Sequence, residues 1–110
     1  SAKHGLGHWI TQRVTALALL PLTIWFVTII ALMKDSSYDS ALSLVSNPFN
    51  ATFLILLIIS IFWHAQLGLQ VVIEDYISNK TKRMSLIIIM KFIMTAVGAL
   101  TLLSVIRIAL

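Results

Sequence analysis

The chain has 110 residues, of which 59% are hydrophobic and 11% are charged, and its formal net charge is +4 with histidine neutral. A soluble domain of this length could not bury so much apolar surface, so the composition excludes an ordinary globular domain and predicts an integral membrane protein. We therefore relate the positive charge to the orientation of the protein in the membrane and to contacts with lipid headgroups, not to nucleic-acid binding. The absence of cysteine excludes disulfides and cysteine metal sites.

The first twelve residues are short, polar and basic, and Gly5 and Gly7 argue against a helix there. His4 and His8 have the spacing of two metal ligands on one helix face, but no third ligand is near. We therefore interpret them as histidines in solvent or at the membrane interface. The chain begins at Ser1 without a methionine, which we interpret as a processed or trimmed end.

Three apolar blocks follow, and each is long enough to cross a bilayer, which takes roughly 20 helical residues. The first two, Val14–Met33 and Ala51–Ile73, carry no formal charge, and the third, Met84–Leu110, carries only Lys91 and Arg107. We predict one all-α membrane-anchor domain over residues 1–110, with three transmembrane helices at about 13–33, 51–76 and 84–109.

Two polar connections separate these spans. Lys34–Asn50 is predicted to be a polar loop, in which Asn47-Pro48 forms a turn before the second span. Glu74–Arg83 is a short charged loop after that span. One side of the membrane then holds five basic residues, Lys3, Arg13, Lys80, Lys82 and Arg83, and the other side holds two, Lys34 and Arg107. This count predicts that the N-terminus lies inside and the C-terminus outside.

The second span is the polar one, and its polar side chains should face protein or a cofactor because lipid cannot satisfy them: Ser60, His64, Gln66 and Gln70. Three interpretations of His64 stay open: a hydrogen bond to a neighbouring helix, a proton relay, or a metal ligand, with haem iron as the best candidate. A haem would need an axial nitrogen from His64 and a flat space, which Gly68 offers one turn on. A second axial ligand would have to come from another subunit.

The end of the same span carries a second candidate site. Asp75 lies within roughly 40° of His64 and Gly68 around the helix, and about 16 Å from His64 along it. Tyr76 is suited to this depth, with its ring in the apolar layer and its hydroxyl near the headgroups. With Arg13 the pair could form a quinone-head site, in which the phenol donates a hydrogen bond to a quinone carbonyl and the charges orient it. The alternatives are an ordinary interfacial Asp-Tyr pair and an arginine that snorkels to the headgroups.

These residues carry a resemblance to a known family. His64, followed after ten residues by Asp75-Tyr76, resembles the signature of the small membrane-anchor subunit, often called D, of succinate dehydrogenase (respiratory complex II). The opening His8–Ala16, with the sequence HWITQRVTA, is similar to the start of the first helix in alphaproteobacterial and mitochondrial members. The resemblance covers nearly the whole chain. Glu74 and Lys91 do not map onto the family's pattern, and we assign them no role.

The resemblance implies an anchor without catalytic residues, in the bacterial cytoplasmic membrane or the mitochondrial inner membrane. Such subunits pair with a second membrane anchor, share one haem b with it, and dock the iron-sulfur and flavoprotein subunits on the inner surface. It implies that His64 is an axial ligand of the haem iron, that Tyr76 contacts ubiquinone, and that Asp75 supports that site. Arg13 is the implied contact to a haem propionate or to the quinone site. The chain carries no flavin or iron-sulfur motif, so succinate would be oxidised on other subunits.

Two alternative functions stay open. The first is the anchor of a quinol:fumarate reductase, which differs mainly in the direction of electron flow. The second is a helper or assembly subunit of the membrane with a structural histidine and no cofactor. A reduced-minus-oxidised spectrum of the purified complex separates this second alternative from the haem-binding ones.

Overall fold

The structure, a computed structural model, describes residues 2–110 and consists of four α-helices in that range. They are α1 (Ala2–Ala31), α2 (Tyr38–Ser46), α3 (Pro48–Tyr76) and α4 (Lys80–Ala109). The helices α1, α3 and α4 are each long and apolar enough to cross a membrane. The prediction of an all-α membrane protein with three spans is confirmed. The interpretation of Ser1 lies outside the described residues.

Both outer spans begin earlier than we predicted. Helix α1 starts at Ala2 rather than near residue 13, and Gly5 and Gly7 lie inside it. Two helical glycines cost only about 1 kcal/mol each relative to alanine, which a helix continuous with a long apolar span tolerates. Helix α4 starts at Lys80 rather than near residue 84, because the side chain of Asn79 accepts a hydrogen bond from the Lys82 N–H at 3.0 Å.

The predicted loop between the first two spans is wrong over Tyr38–Ser46, which forms helix α2. Its N-terminus is capped by Ser37, whose hydroxyl oxygen accepts from the Ser40 N–H at 3.2 Å. The carboxylate of Asp35 supports the cap by accepting from the Ser37 N–H at 2.9 Å and from the Ser40 hydroxyl at 2.7 Å. Hydrogen bonding by the hydroxyls of Ser37 and Ser40 and by the Ser37 N–H lowers the pKa of Asp35 from 3.8 to about 2.

The predicted turn at Asn47-Pro48 is confirmed. Asn47 ends α2 and also caps α3, since its side-chain oxygen accepts from the N–H groups of Phe49 and Asn50 at 2.9 and 3.3 Å. Pro48 opens α3, a position where its missing N–H costs nothing. The Asn50 amide then donates to the Leu44 carbonyl at 3.0 Å, so α2 folds back against the start of α3.

Helix α3 is the centre of the bundle. It packs against both α1 and α4, whereas among residues 2–110 no Cα atoms of α1 and α4 come within 8 Å of each other. The His64 side of α3 meets α1, and Phe62 and Gln66, roughly 160° away around the helix, meet α4. The three spans therefore form a row with two open faces, and α2 packs on α3 and α4.

Little of the apolar surface is buried within the chain. Within residues 2–110, the buried hydrophobic side chains lie in the first part of α3: Ala51, Leu54, Leu57 and Ile58. Large apolar side chains are exposed along every span, such as Leu17 at 66% and Phe92 at 75%. Lipid tails or partner subunits must cover this surface, as the composition predicted.

Candidate functional site

His64 is held by a threonine on the neighbouring helix. The Oγ1 atom of Thr15 on α1 lies 3.0 Å from Nδ1 of His64 on α3. Within residues 2–110, Thr15 is the only polar residue that is buried, at 5% exposure. The same Oγ1 atom lies 2.9 Å from the Thr11 carbonyl oxygen and 3.0 Å from the Gln12 carbonyl oxygen. The interhelix hydrogen bond that the sequence left as one interpretation of His64 is therefore present, and it occupies Nδ1.

The other ring nitrogen of His64 is available to a ligand. Over the described residues, Nε2 makes no hydrogen bond, and no group of three histidine, cysteine, aspartate or glutamate side chains could hold a metal ion. One histidine nitrogen can bind haem iron from one side of the haem ring. A Cβ on Gly68 would approach nothing closer than Gln12 Nε2 at 4.0 Å, so the chain itself does not fill the bare surface beside His64. These residues fit a haem held from one side.

Two further polar atoms on α1 lack partners in the described part of the chain. They are Nε2 of His8 and Oε1 of Gln12, and both are buried. With Arg13 and Val71 they line an open cavity of about 410 Å³ between α1 and α3. Buried polar atoms are rarely left unpaired in native structures, so a group from outside this chain is expected at this cavity.

Sequence reasoning missed Gln12 and Thr15 as site residues. The signal that could have found them is their spacing from His8, four and then three residues, which places all three on one face of a helix. We predicted no helix before about residue 13, and this hid the pattern, because the three residues share a face only if the helix already includes His8.

The three residues of the predicted quinone site are not joined to one another by hydrogen bonds. The Arg13 guanidinium lies over the Trp9 ring at 5.3 Å from its centroid, a cation–π contact. Asp75 and Tyr76 lie in the last turn of α3 and are exposed, Tyr76 at 82%. Within residues 2–110 neither side chain makes a hydrogen bond. The chain thus presents the phenol and the carboxylate outward, and their role stays a prediction.

Of the other polar residues of α3 that we expected to face protein or a cofactor, Gln66 contacts a neighbouring helix, whereas Ser60 and Gln70 make no side-chain hydrogen bond over residues 2–110. Gln66 donates from Nε2 to the Thr95 hydroxyl on α4 at 3.2 Å. Gln70 lines an open cavity of about 380 Å³ that α1, α3 and α4 border, together with Lys3, His8 and Lys91. Lys91, to which we assigned no role from the sequence, therefore faces the same cavity as Lys3 and His8 near the start of α1.

Comparison with known proteins gives consistent results. Residues 1–100 match the family described as succinate dehydrogenase/fumarate reductase transmembrane subunit. A protein of Rickettsia bellii, named succinate dehydrogenase hydrophobic membrane anchor subunit, is 40% identical over 91 residues, which cover 83% of this chain and 73% of the relative. The protein of that name in Coxiella burnetii is 29% identical over 86 residues, 78% of this chain and 75% of the relative. The succinate dehydrogenase membrane anchor subunit of Reclinomonas americana is 29% identical over 91 residues, 79% and 76% of the two chains.

Proposed function

The chain belongs to the family of succinate dehydrogenase/fumarate reductase transmembrane subunits, and on that premise we propose that it is the haem-b-binding membrane anchor of a succinate:ubiquinone oxidoreductase. It is a multi-pass membrane protein, and its relatives are anchor subunits of succinate dehydrogenase. In this role it holds the flavoprotein and iron-sulfur subunits at the membrane together with a second anchor subunit. It also forms part of the ubiquinone site.

The haem assignment rests on the hydrogen bonding of the two ring nitrogens of His64. Its Nδ1 atom is engaged by Thr15, its Nε2 atom has no partner over residues 2–110, and Gly68 leaves the next turn bare. A b-type haem, when bound, supplies a one-electron carrier. His64 would hold the iron of such a haem through Nε2, and a second anchor subunit would hold it from the other side. The cavity at His8, Gln12 and Arg13 suits a haem propionate, because an anionic group would pair with the Arg13 guanidinium and accept a hydrogen bond from Nε2–H of His8.

The quinone site is proposed at the end of α3 that carries Tyr76. The five-to-two distribution of basic residues favours an inner position for this end and for the start of α1. The exposed Tyr76 hydroxyl then donates a hydrogen bond to a ubiquinone carbonyl at the boundary with the iron-sulfur subunit, and Asp75 supports the site. This hydrogen bond strengthens as negative charge builds on the carbonyl oxygen during reduction.

Replacing His64 with leucine in the assembled complex tests the haem assignment. We expect His64→Leu to alter the reduced-minus-oxidised spectrum of the b-type haem and to lower the haem content or potential, because one axial nitrogen is lost. Gln66→Leu is the matched control, since it removes a polar group from the opposite face of the same helix, where Thr95 is its partner. An unaltered haem spectrum in His64→Leu would rule out ligation by His64.

A further inference from the structure

We propose that Thr15 is a positioning residue for His64. Its hydroxyl fixes the imidazole in the tautomer that carries hydrogen on Nδ1, so that Nε2 keeps the lone pair that binds haem iron. This inference rests on the proposed function and deepens it, because it assigns the ligating nitrogen and names the residue that selects it. The juxtaposition that carries it is one threonine oxygen within 3.0 Å of an imidazole nitrogen and two main-chain carbonyls.

The direction of the hydrogen bonds follows from counting donors. A threonine hydroxyl has one hydrogen to donate and two lone pairs to accept with. The carbonyl oxygens of Thr11 and Gln12, at 2.9 and 3.0 Å from Oγ1, can only accept, so the hydroxyl hydrogen goes to them. The remaining contact at 3.0 Å is then a bond that His64 donates from Nδ1–H to Oγ1. The opposite assignment would leave Oγ1 against two carbonyl oxygens with no hydrogen between them.

The burial of the Thr15 hydroxyl stabilises the tautomer of His64 that carries hydrogen on Nδ1. Thr15 is 5% exposed and lies at the interface of α1 and α3, so water does not compete for its hydroxyl. In a medium of low dielectric constant, an unpaired polar group costs more than it does in water, and a satisfied one is held more strongly. Metal-bound histidines generally donate their second ring N–H to an acceptor, which fixes the ring orientation and raises the basicity of the ligating nitrogen. Thr15 meets that requirement from a different helix.

Two other threonines of α1 show that the back-bond alone does not create the contact. The hydroxyls of Thr11 and Thr28 donate to the Gly7 and Ile24 carbonyls at 2.8 and 2.7 Å, the same local geometry as at Thr15. Within residues 2–110, neither hydroxyl has a hydrogen-bond partner on another helix. Thr28 is also exposed, so Thr28→Val removes an equivalent back-bond without touching His64.

The test compares Thr15→Val, Thr15→Ser and Thr28→Val in the assembled complex. Two properties are measured: the midpoint potential of the haem and the electron paramagnetic resonance spectrum of the ferric haem. Loss of such a supporting partner typically weakens metal binding 10- to 100-fold. Because a more basic imidazole favours ferric over ferrous iron, we expect Thr15→Val to raise the potential. A tenfold preferential loss of ferric affinity corresponds to about 59 mV. Thr15→Ser keeps the hydroxyl and should retain the parent values, as should Thr28→Val.

Two results would overturn the inference: a parent-like potential and spectrum in Thr15→Val, or equal shifts in Thr15→Val and Thr15→Ser, which would indicate packing rather than the hydroxyl. If Thr15→Val does not assemble, Thr15→Ala carries the same comparison with a smaller side chain. The spectrum of His64→Leu separates this inference from the proposed function. A change in His64→Leu without one in Thr15→Val contradicts only the role of Thr15, whereas no change in His64→Leu contradicts the haem assignment itself.

Discussion

The chemistry of single residues in this chain depends on what each polar group already binds. The Nδ1 atom of His64 is occupied by Thr15, so only Nε2 remains for a ligand. The Arg13 guanidinium rests on Trp9, and Tyr76 points outward at 82% exposure. A group that is satisfied within the chain stabilises the fold, and a group that is presented outward can serve a quinone or a neighbouring subunit.

Tyr76→Phe tests the quinone role of the outward phenol. The substitution removes the hydroxyl and keeps the ring, so assembly should be nearly unaffected. A hydrogen bond of this kind is worth about 1–3 kcal/mol, which corresponds to roughly a 5- to 150-fold loss of quinone-dependent turnover. Succinate oxidation with an artificial acceptor that takes electrons before the quinone should stay near the parent value.

The decisive quantity is the ratio of those two activities in the variant and in the parent. Tyr38→Phe is the matched control, because Tyr38 is the other tyrosine of the chain and is exposed on α2, at the opposite end of the bundle. If the ratio is unchanged in Tyr76→Phe, this tyrosine is only an interfacial anchor and the quinone assignment has to be withdrawn.

At the scale of helices, the sequence predicted the spans well and their ends poorly. Long apolar blocks identify transmembrane helices because roughly 20 residues must match the bilayer core, and this rule found all three. The rule does not predict α2, a short helix that depends on the hydrogen bonds of Asp35, Ser37 and Ser40 at its start. It also does not predict the first turns of α1, where the low helix propensity of glycine is outweighed by continuity with the transmembrane span.

The same limit explains what could be predicted of the candidate site. His64, Asp75 and Tyr76 were found because polar residues inside or beside an apolar span need a reason to be there. Thr15 was not, because a threonine within a span is common and its importance appears only when α1 lies against α3. Thr15 and His64 are 49 positions apart in the sequence, and their contact depends on how α1 packs against α3, which local sequence rules do not describe.

Gly98 provides a test of the packing between α3 and α4. It is the buried residue of α4, and a Cβ there would meet Cγ of Phe62 at 3.3 Å. Gly98→Val adds further methyl groups at this contact, and overpacking of this kind typically costs 1–3 kcal/mol. We expect a lower unfolding temperature of the complex in detergent. Ala99→Val, at the exposed neighbouring position, should be close to the parent, and equal stability of the two variants would contradict the close approach of α3 and α4 at Gly98.

The whole molecule is a row of three spans, and this shape limits what one chain can do. Over residues 2–110, α1 and α4 pack on opposite sides of α3, and no Cα atoms of the two helices come within 8 Å of each other, so two faces of the row stay open. His64 and the unpaired atoms of His8 and Gln12 meet at one interface, that of α1 and α3. A second anchor subunit that covers this interface would complete the haem site that we propose and would bury part of the exposed apolar surface.

The composition of the complex in which this chain resides tests the anchor assignment most directly. The chain is tagged, the membranes are solubilised in a mild detergent, and every co-purifying subunit is identified together with its cofactors. We expect three partners, one flavinylated, one rich in cysteine and carrying iron-sulfur clusters, and one a second membrane anchor, along with one b-type haem per complex. Recovery of the chain from intact membranes without a flavin-bearing or cluster-bearing partner would contradict the anchor assignment.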